Sequence, residues 1–308
     1  CELTGRLLYG LTPEEYPCTG DWVVTVPTDE GKGIIVELFP RQRTLYRKKV
    51  GSSGEKQPIA THVDTGYIVQ SIGYNYNVRR IERMMVQLLQ QEIKPVLILT
   101  KSDQPHQPEE IARELAHLTS KMPVHYTSVY QPGSIQQLKT HITAGETICV
   151  IGSSGVGKST LINALIGEEK LETSHISTIT GKGRHTTTRR EMHLIPLEEG
   201  RTAVLIDTPG VREFGITGET EESIGAALNL EELGKQCRYT DCTHTTEPGC
   251  AILQALESGE ISPEVYKSYH KLIREAKYNS ESEQQKRKRE KTFCKMVKHV
   301  SELKNKRK

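Results

Sequence analysis

Apolar residues follow two rhythms along this chain, and changes of rhythm mark three stretches. From Pro58 to about Asp207, short apolar runs of strand length alternate with segments whose apolar positions recur every three or four residues. Tyr67 to Ile72, Val96 to Thr100, Val124 to Ser128, Thr147 to Ile151, Met192 to Pro196 and Ala203 to Asp207 are predicted strands. Val78 to Gln91 is a predicted helix with an apolar face of Ile81, Met84, Met85, Leu88 and Leu89. Pro108 to Leu118 and Ser159 to Ile166 are predicted helices too. Such alternation predicts a mostly parallel sheet with helices on both faces.

The flanks differ. The stretch up to about Arg47 is rich in β-branched and turn residues, with a predicted strand core at Asp21 to Pro27 and punctuation at Gly31, Gly33 and Pro40. It reads as a small all-β unit with a basic edge of Arg41, Arg43, Arg47, Lys48 and Lys49. Gly51 to Lys56 reads as a linker. Beyond Glu219 the strands stop. Helices are predicted at Glu221 to Leu230, near Cys250 to Glu257, and at Pro263 to Ala276, followed by a polar tail from Glu281.

Composition narrows the class. A length of 308 residues suits two or three domains. The mean hydropathy is −0.52, and no apolar run approaches the roughly 20 residues of a membrane helix. A cytoplasmic protein without a membrane partner is expected. The net charge of +2 is uneven, because Lys286 to Lys308 is dense in Lys and Arg with only Glu290 and Glu302 as acids. That basic run and the basic β-unit edge favour RNA as a partner, through phosphate contacts.

Gly152-Ser153-Ser154-Gly155-Val156-Gly157-Lys158-Ser159 satisfies every fixed position of G-x-x-x-x-G-K-[ST], between a predicted strand and a predicted helix that continues through Thr160. Glycines permit a tight turn whose backbone N–H groups face phosphate oxygens. Lys158 supplies a cation to the β- and γ-phosphates, and the Ser159 hydroxyl suits Mg²⁺. Asp207-Thr208-Pro209-Gly210 ends a later strand. There Asp207 can hold Mg²⁺ through water, and Gly210 can meet the γ-phosphate. One threonine of the Thr186-Thr187-Thr188 run between them is expected to complete the Mg²⁺ shell; any of the three can do so, and Thr187 is taken as the candidate.

Thr100-Lys101-Ser102-Asp103 has the form of a guanine-reading N-K-x-D motif with Thr in place of Asn. Asp103 can accept from guanine N1–H and the 2-amino group. Adenine offers neither, so the carboxylate would be left unpaired with ATP. The Lys101 stem can cover the base. Tyr126-Thr127-Ser128, at the end of the next strand, is a candidate second base loop through Thr127 and Ser128. Both base motifs precede the phosphate loop, the reverse of the ordinary order. Asp207 consequently leads straight into the C-terminal stretch.

Cys237-x4-Cys242-x-His244-x5-Cys250 offers three thiolates and an imidazole, the donor set of a closed structural zinc site, one ion per chain. The other four of the seven cysteines are scattered, which argues against a disulfide framework. His270 is expected to be an ordinary surface or helix-packing histidine.

These motifs together resemble the circularly permuted, small-subunit-dependent GTPases of the RsgA/YjeQ family. The resemblance rests on Thr100 to Asp103, Gly152 to Thr160, Arg184 to Thr188, Asp207 to Gly210, Cys237 to His244 and Glu247 to Cys250. It implies a multi-domain chain: an N-terminal OB-fold β-barrel with linker over 1–57, a permuted α/β GTPase domain over 58–218, and a zinc-binding helical domain with basic tail over 219–308. The first unit is short for a five-stranded barrel, so a partial barrel is expected. The resemblance also implies GTP and GDP as ligands, with GTP hydrolysis stimulated by the small ribosomal subunit. Contact with its rRNA, a late maturation role and a monomeric state are further expectations. Val211 stands where a water-orienting glutamine follows D-x-x-G in Ras-like enzymes. Water positioning then falls to another group, either a loop residue such as His185 or a group supplied by the partner RNA or protein.

Overall fold

The computed structural model describes residues 2–12, 14–28, 32–48, 56–73, 75–168, 190–208 and 220–280. At the N-terminus, β1 (Glu2–Leu3) and a short α1 (Gly5–Gly10) precede β2 (Val23–Pro27) and β3 (Gly33–Leu38). They form a three-stranded sheet in the order β1-β3-β2. β4 (Leu45–Lys48) and β5 (Lys56–Ala60) pair separately as an antiparallel ribbon. The unit is thus not all-β, since α1 is helical and capped by the Thr4 side chain. Its five strands fall in two sheets, with no closed barrel among the described residues. The expected linker ends inside a strand, because Lys56 opens β5, and the boundary expected at 57/58 also lies within β5. Leu45, Ile59 and Ala60 are buried in the same cluster as the central sheet.

The centre is a six-stranded sheet. Its elements in chain order are β6 (Thr65–Ser71), α2 (Val78–Gln90), β7 (Lys94–Thr100), α3 (Pro108–Leu115), β8 (Val124–Thr127) and α4 (Pro132–Thr140). β9 (Thr147–Ile151), α5 (Lys158–Ile166), β10 (Glu191–Pro196) and β11 (Thr202–Asp207) complete it. The spatial order is β10-β11-β9-β6-β7-β8. All neighbours are parallel except the edge strand β10, which runs antiparallel to β11.

Period-two alternation sends successive side chains to opposite layers. Ile68, Leu97, Leu99, Cys149, Ile151 and Ile206 face one core, together with the apolar stripe of α2. Tyr67, Val69, Val96, Ile98, Ile148 and Val150 face the other, against α4 and α5. Burial on both faces explains why these strands are almost wholly Val, Ile and Leu.

The C-terminal part comprises α6 (Glu221–Ala227), α7 (Glu231–Lys235), α8 (Ala251–Ser258) and α9 (Pro263–Ser280). Ile224, Leu228, Ile252, Tyr269 and Ile273 join the α2 side of the core. Polar contacts stitch this seam. The buried Glu82 carboxylate on α2 accepts from Ser268 on α9 and lies 2.8 Å from His117 Nε2. Arg83 pairs with Glu275 at 2.8 Å. Asn229 Nδ2 donates to the His117 carbonyl at 2.9 Å.

Candidate nucleotide site and metal centre

The sheet order gathers the nucleotide motifs. β9 and β11 are adjacent, and β7 and β8 lie beyond β6 in the same sheet. All are parallel, so their carboxyl ends open on one edge, where ligands of such sheets bind. Placing β6, β7 and β8 after β11 would restore the motif order of an unpermuted chain without moving a strand.

The phosphate loop runs from the end of β9 into α5. Gly157 adopts φ 91° immediately before Lys158, the first residue of α5. At Gly152 a Cβ would lie 2.4 Å from the Val69 carbonyl, so only glycine fits where the loop leaves β9 against β6. The Lys158 ammonium lies over this loop, 3.0 Å from the Gly152 carbonyl and 2.7 Å from that of Ser153. Burial pushes its pKa down to about 8, while the negative charge of Asp207 opposes the shift. Asp207 is buried at the end of β11, in register with Val150 of β9. The neighbouring Thr208 hydroxyl donates to the Val150 carbonyl at 2.5 Å. The loop and the acid are therefore locked to each other through adjacent strands. Ser153, Ser154, Gly155, Val156, Ser159 and Thr160 complete this loop and the first turn of α5. Gly210, Val211, His185 and Thr187 lie outside the described residues.

The two base motifs converge next to the loop. Thr100 ends β7 in register with Thr127 of β8. Ser102 N–H donates to the Thr127 carbonyl at 3.2 Å. The Ser128 hydroxyl donates to Asp103 Oδ1 at 2.5 Å and so aims the carboxylate. Ser134, at the start of α4, in turn braces Ser128 through its backbone N–H and carbonyl. Lys101 adopts φ 61°, and its ammonium reaches the Gly155 carbonyl at 3.5 Å. The residues Lys101, Asp103, Ser128, Tyr130 and Gly157 line part of a cavity of about 220 Å³. A second link crosses from this side to the phosphate loop. The buried Thr100 hydroxyl donates to the Val156 carbonyl at 2.6 Å. The threonine that stands in place of Asn thus makes a clip that the sequence does not show. A threonine facing a loop carbonyl across 56 positions leaves no local signature.

The Cys/His cluster closes in the C-terminal part. Ligand atoms of Cys237, Cys242, His244 and Cys250 all lie within 4.8 Å of one another, so the four could hold a metal ion. His244 Nδ1 is 3.5 Å from Cys237 Sγ and 3.4 Å from Cys250 Sγ, and the two sulfurs are 3.9 Å apart. A tetrahedron with metal bonds of about 2.0–2.3 Å has edges of this size. Glu247 organises the ligand loop by accepting from Thr243, Thr245 and Thr246, which holds its pKa far below the usual carboxylate range. The His244 backbone, at φ 57°, is fixed through its carbonyl by Tyr266 Oη at 2.8 Å. His270 Nε2 lies 3.2 Å from the same carbonyl. His270 is thus more than a packing residue of α9, since it braces a ligand-bearing loop from behind.

A parallel P-loop sheet whose base motifs precede the phosphate loop, with a Cys₃His cluster after it, defines a permuted GTPase. The sequence profile of the RsgA GTPase family matches residues 38–217. The small ribosomal subunit biogenesis GTPase RsgA 1 of Bacteroides thetaiotaomicron is 50% identical over 304 residues, 99% of this chain and 84% of the relative. RsgA 2 of Vibrio vulnificus is 40% identical, over 93% of this chain and 80% of that protein. The crystal structure of YjeQ from Thermotoga maritima superposes with a TM-score of 0.62 at 27% identity, covering 89% of this chain and 88% of that one. YloQ, described as a circularly permuted GTPase, shares the fold with a TM-score of 0.59 at 24% identity, over 89% and 85% of the two chains. The chain belongs to the RsgA GTPase family and is a GTP-hydrolysing enzyme.

Proposed function

We propose that this chain binds GTP and GDP across the carboxyl ends of β7, β8, β9 and β11 and hydrolyses GTP in the service of small ribosomal subunit biogenesis. The observation that carries the reading is the Thr100–Val156 clip, which holds the base-reading end and the phosphate-reading loop on one sheet edge. Backbone N–H groups from Gly152 to Gly157 would cradle the β-phosphate, with Lys158 neutralising the β- and γ-phosphates and Thr160 on the first turn of α5. Asp103, oriented by Ser128, would read guanine. Lys101, Ser102 and Thr127 would complete the base pocket.

Mg²⁺ would be held by Ser159, by Asp207 through water, and by Thr187, with Gly210 on the γ-phosphate. Asp207 beside Lys158 fits that role, because a buried carboxylate at this point can balance a dication. His185 is the candidate for orienting water, since Val211 carries no polar group. Cys237, Cys242, His244 and Cys250 would hold one structural Zn²⁺, which suits three thiolates and an imidazole.

The partner reading extends from the relatives named small ribosomal subunit biogenesis GTPases. The N-terminal sheet and ribbon are read as part of an OB-type unit that runs through β5 to Ala60, with a GTPase unit from there to residue 218 and a helical unit over 219–308. The basic residues of the N-terminal unit and the C-terminal tail would contact rRNA, with the protein acting as a cytoplasmic monomer. A phosphate-release assay with purified small subunits tests this. Stimulation of many-fold that fades as salt rises is expected. Equal rates with and without small subunits, in protein that binds GTP, would remove the ribosomal part of the reading.

A further inference from the structure

We infer that Thr100 is a positioning residue for the phosphate loop and that the pocket leaves the N7 atom of guanine unread. The inference rests on the reading of this cavity as a guanine site.

Guanine presents two kinds of polar group. N1–H and the 2-amino group donate, whereas O6 and N7 accept. Asp103 can serve only the donors, so any recognition of N7 needs a proton from the protein. The strand-end position 100 stands beside both loops and is one place such a proton would come from. An asparagine there has two amide protons, one for a loop carbonyl and one to spare. Threonine has one hydroxyl proton. Thr100 Oγ1 lies 2.6 Å from the Val156 carbonyl and 3.3 Å from the Gln70 carbonyl. Both partners are acceptors, so that single proton is committed to protein. Gly157 closes over it, since a Cβ at Gly157 would lie 3.5 Å from Thr100 Oγ1.

Ser128 spends its single proton in the same way. The Ser128 hydroxyl gives its proton to Asp103 and receives the Tyr130 N–H at 3.1 Å. The Lys101 ammonium turns toward the Gly155 carbonyl. Thr100 and Ser128, each with a single hydroxyl proton, spend it on the phosphate loop and on the carboxylate. Base choice therefore comes from the donor edge of guanine, and the hydroxyl of Thr100 acts by holding the phosphate loop in register.

The test is calorimetric titration of the full chain with four triphosphates at fixed Mg²⁺. They are GTP, 7-deaza-GTP (C–H in place of N7), inosine triphosphate (no 2-amino group) and ATP. In the wild type, 7-deaza-GTP should bind within about twofold of GTP, while inosine triphosphate should bind about tenfold or more weakly. Thr100→Asn should create N7 sensitivity, with GTP favoured over 7-deaza-GTP about three- to tenfold. Thr100→Val should weaken GTP and 7-deaza-GTP by the same factor, and Thr100→Ser should restore both. A wild-type loss of tenfold for 7-deaza-GTP would overturn the inference without needing any variant to fold. An unchanged ratio in a folded Thr100→Asn protein would overturn it too. ATP binding as tight as GTP would instead bring down the guanine reading, and this inference with it.

Discussion

The Cys₃His cluster and the nucleotide site are both polar centres held by a few residues, yet they are built in opposite ways. The metal ligands fall within Cys237 to Cys250, and their shape comes from local devices such as the Glu247 turn and the left-handed His244. The nucleotide site draws on positions from Thr100 to Asp207, and its shape comes from strand order. A local centre can be moved along a chain as a block. A sheet-edge centre survives even when the chain order is cut and rejoined, because each loop is positioned by its own strand. Among the described residues the two parts meet at the α2 seam, where Glu82 joins Ser268, and beyond α3, where Asn229 joins His117. Damage to one centre should therefore leave the other largely intact.

The largest separation should come from Lys158→Ala. It removes the ammonium that lies over the phosphate loop beside Asp207. GTP turnover should fall by about 100-fold or more, since charge stabilisation of the transferring phosphoryl group is the main catalytic term. Metal content should not change. Wild-type turnover in a phosphate-release assay would break the assignment of the loop.

The converse variant is Cys242→Ala. Elemental analysis should find about one Zn²⁺ per wild-type chain and far less in the variant. Hydrogen exchange should rise around α7 and α8, where the ligand loop is seated, while GTP affinity stays within a few-fold. If GTP binding collapsed together with the metal, the two centres would be one cooperative unit rather than two.

The same contrast explains what could be read from the sequence. The phosphate loop, β9 and α5 were legible almost to the residue, since glycine spacing, apolar strand and helix all point one way. The grouping of Cys237, Cys242, His244 and Cys250 was legible from spacing. Helix α4 was not, because Ile135 and Leu138 give too few apolar positions for a visible period. Short α7 escaped for the same reason. The antiparallel edge of β10 was invisible because direction is a matter of pairing. Above all, the Thr100 clip, the Ser128–Asp103 bond and the braces on His244 from Tyr266 and His270 are long-range contacts. Their donors are ordinary residues in ordinary elements until the fold joins them.

A smaller effect sharpens the account of the base side. Asp103→Asn removes an acceptor that Ser128 orients, and it should weaken GTP by about 10- to 100-fold. Xanthosine triphosphate should gain, since an amide can donate to its 2-oxo group. Competition binding of the two nucleotides measures the exchange. Unaltered preference for GTP would place guanine recognition elsewhere.

The smallest effect is a pH response confined to the nucleotide site, and its sign is set by Lys158. Burial lowers this lysine from its ordinary value of 10.5 to about 8 in the folded chain, with Asp207 pulling weakly the other way. Phosphate oxygens favour the ammonium, so the bound state keeps the proton that the unliganded chain gives up above pH 8. Binding then takes up a proton, and affinity must fall as pH rises through this range, by roughly eightfold between pH 7.5 and 9. Folding stability should move the opposite way. An unfolded chain holds this proton up to about 10.5, so between 8 and 10.5 it binds more protons than the folded chain, and this group's contribution to stability rises with pH. Titrations of GTP with Lys158→Met as reference, whose residual binding should lack the slope, isolate the term. A wild-type affinity that is flat from pH 7.5 to 9 would mean that Lys158 is already charged throughout and that burial costs it little.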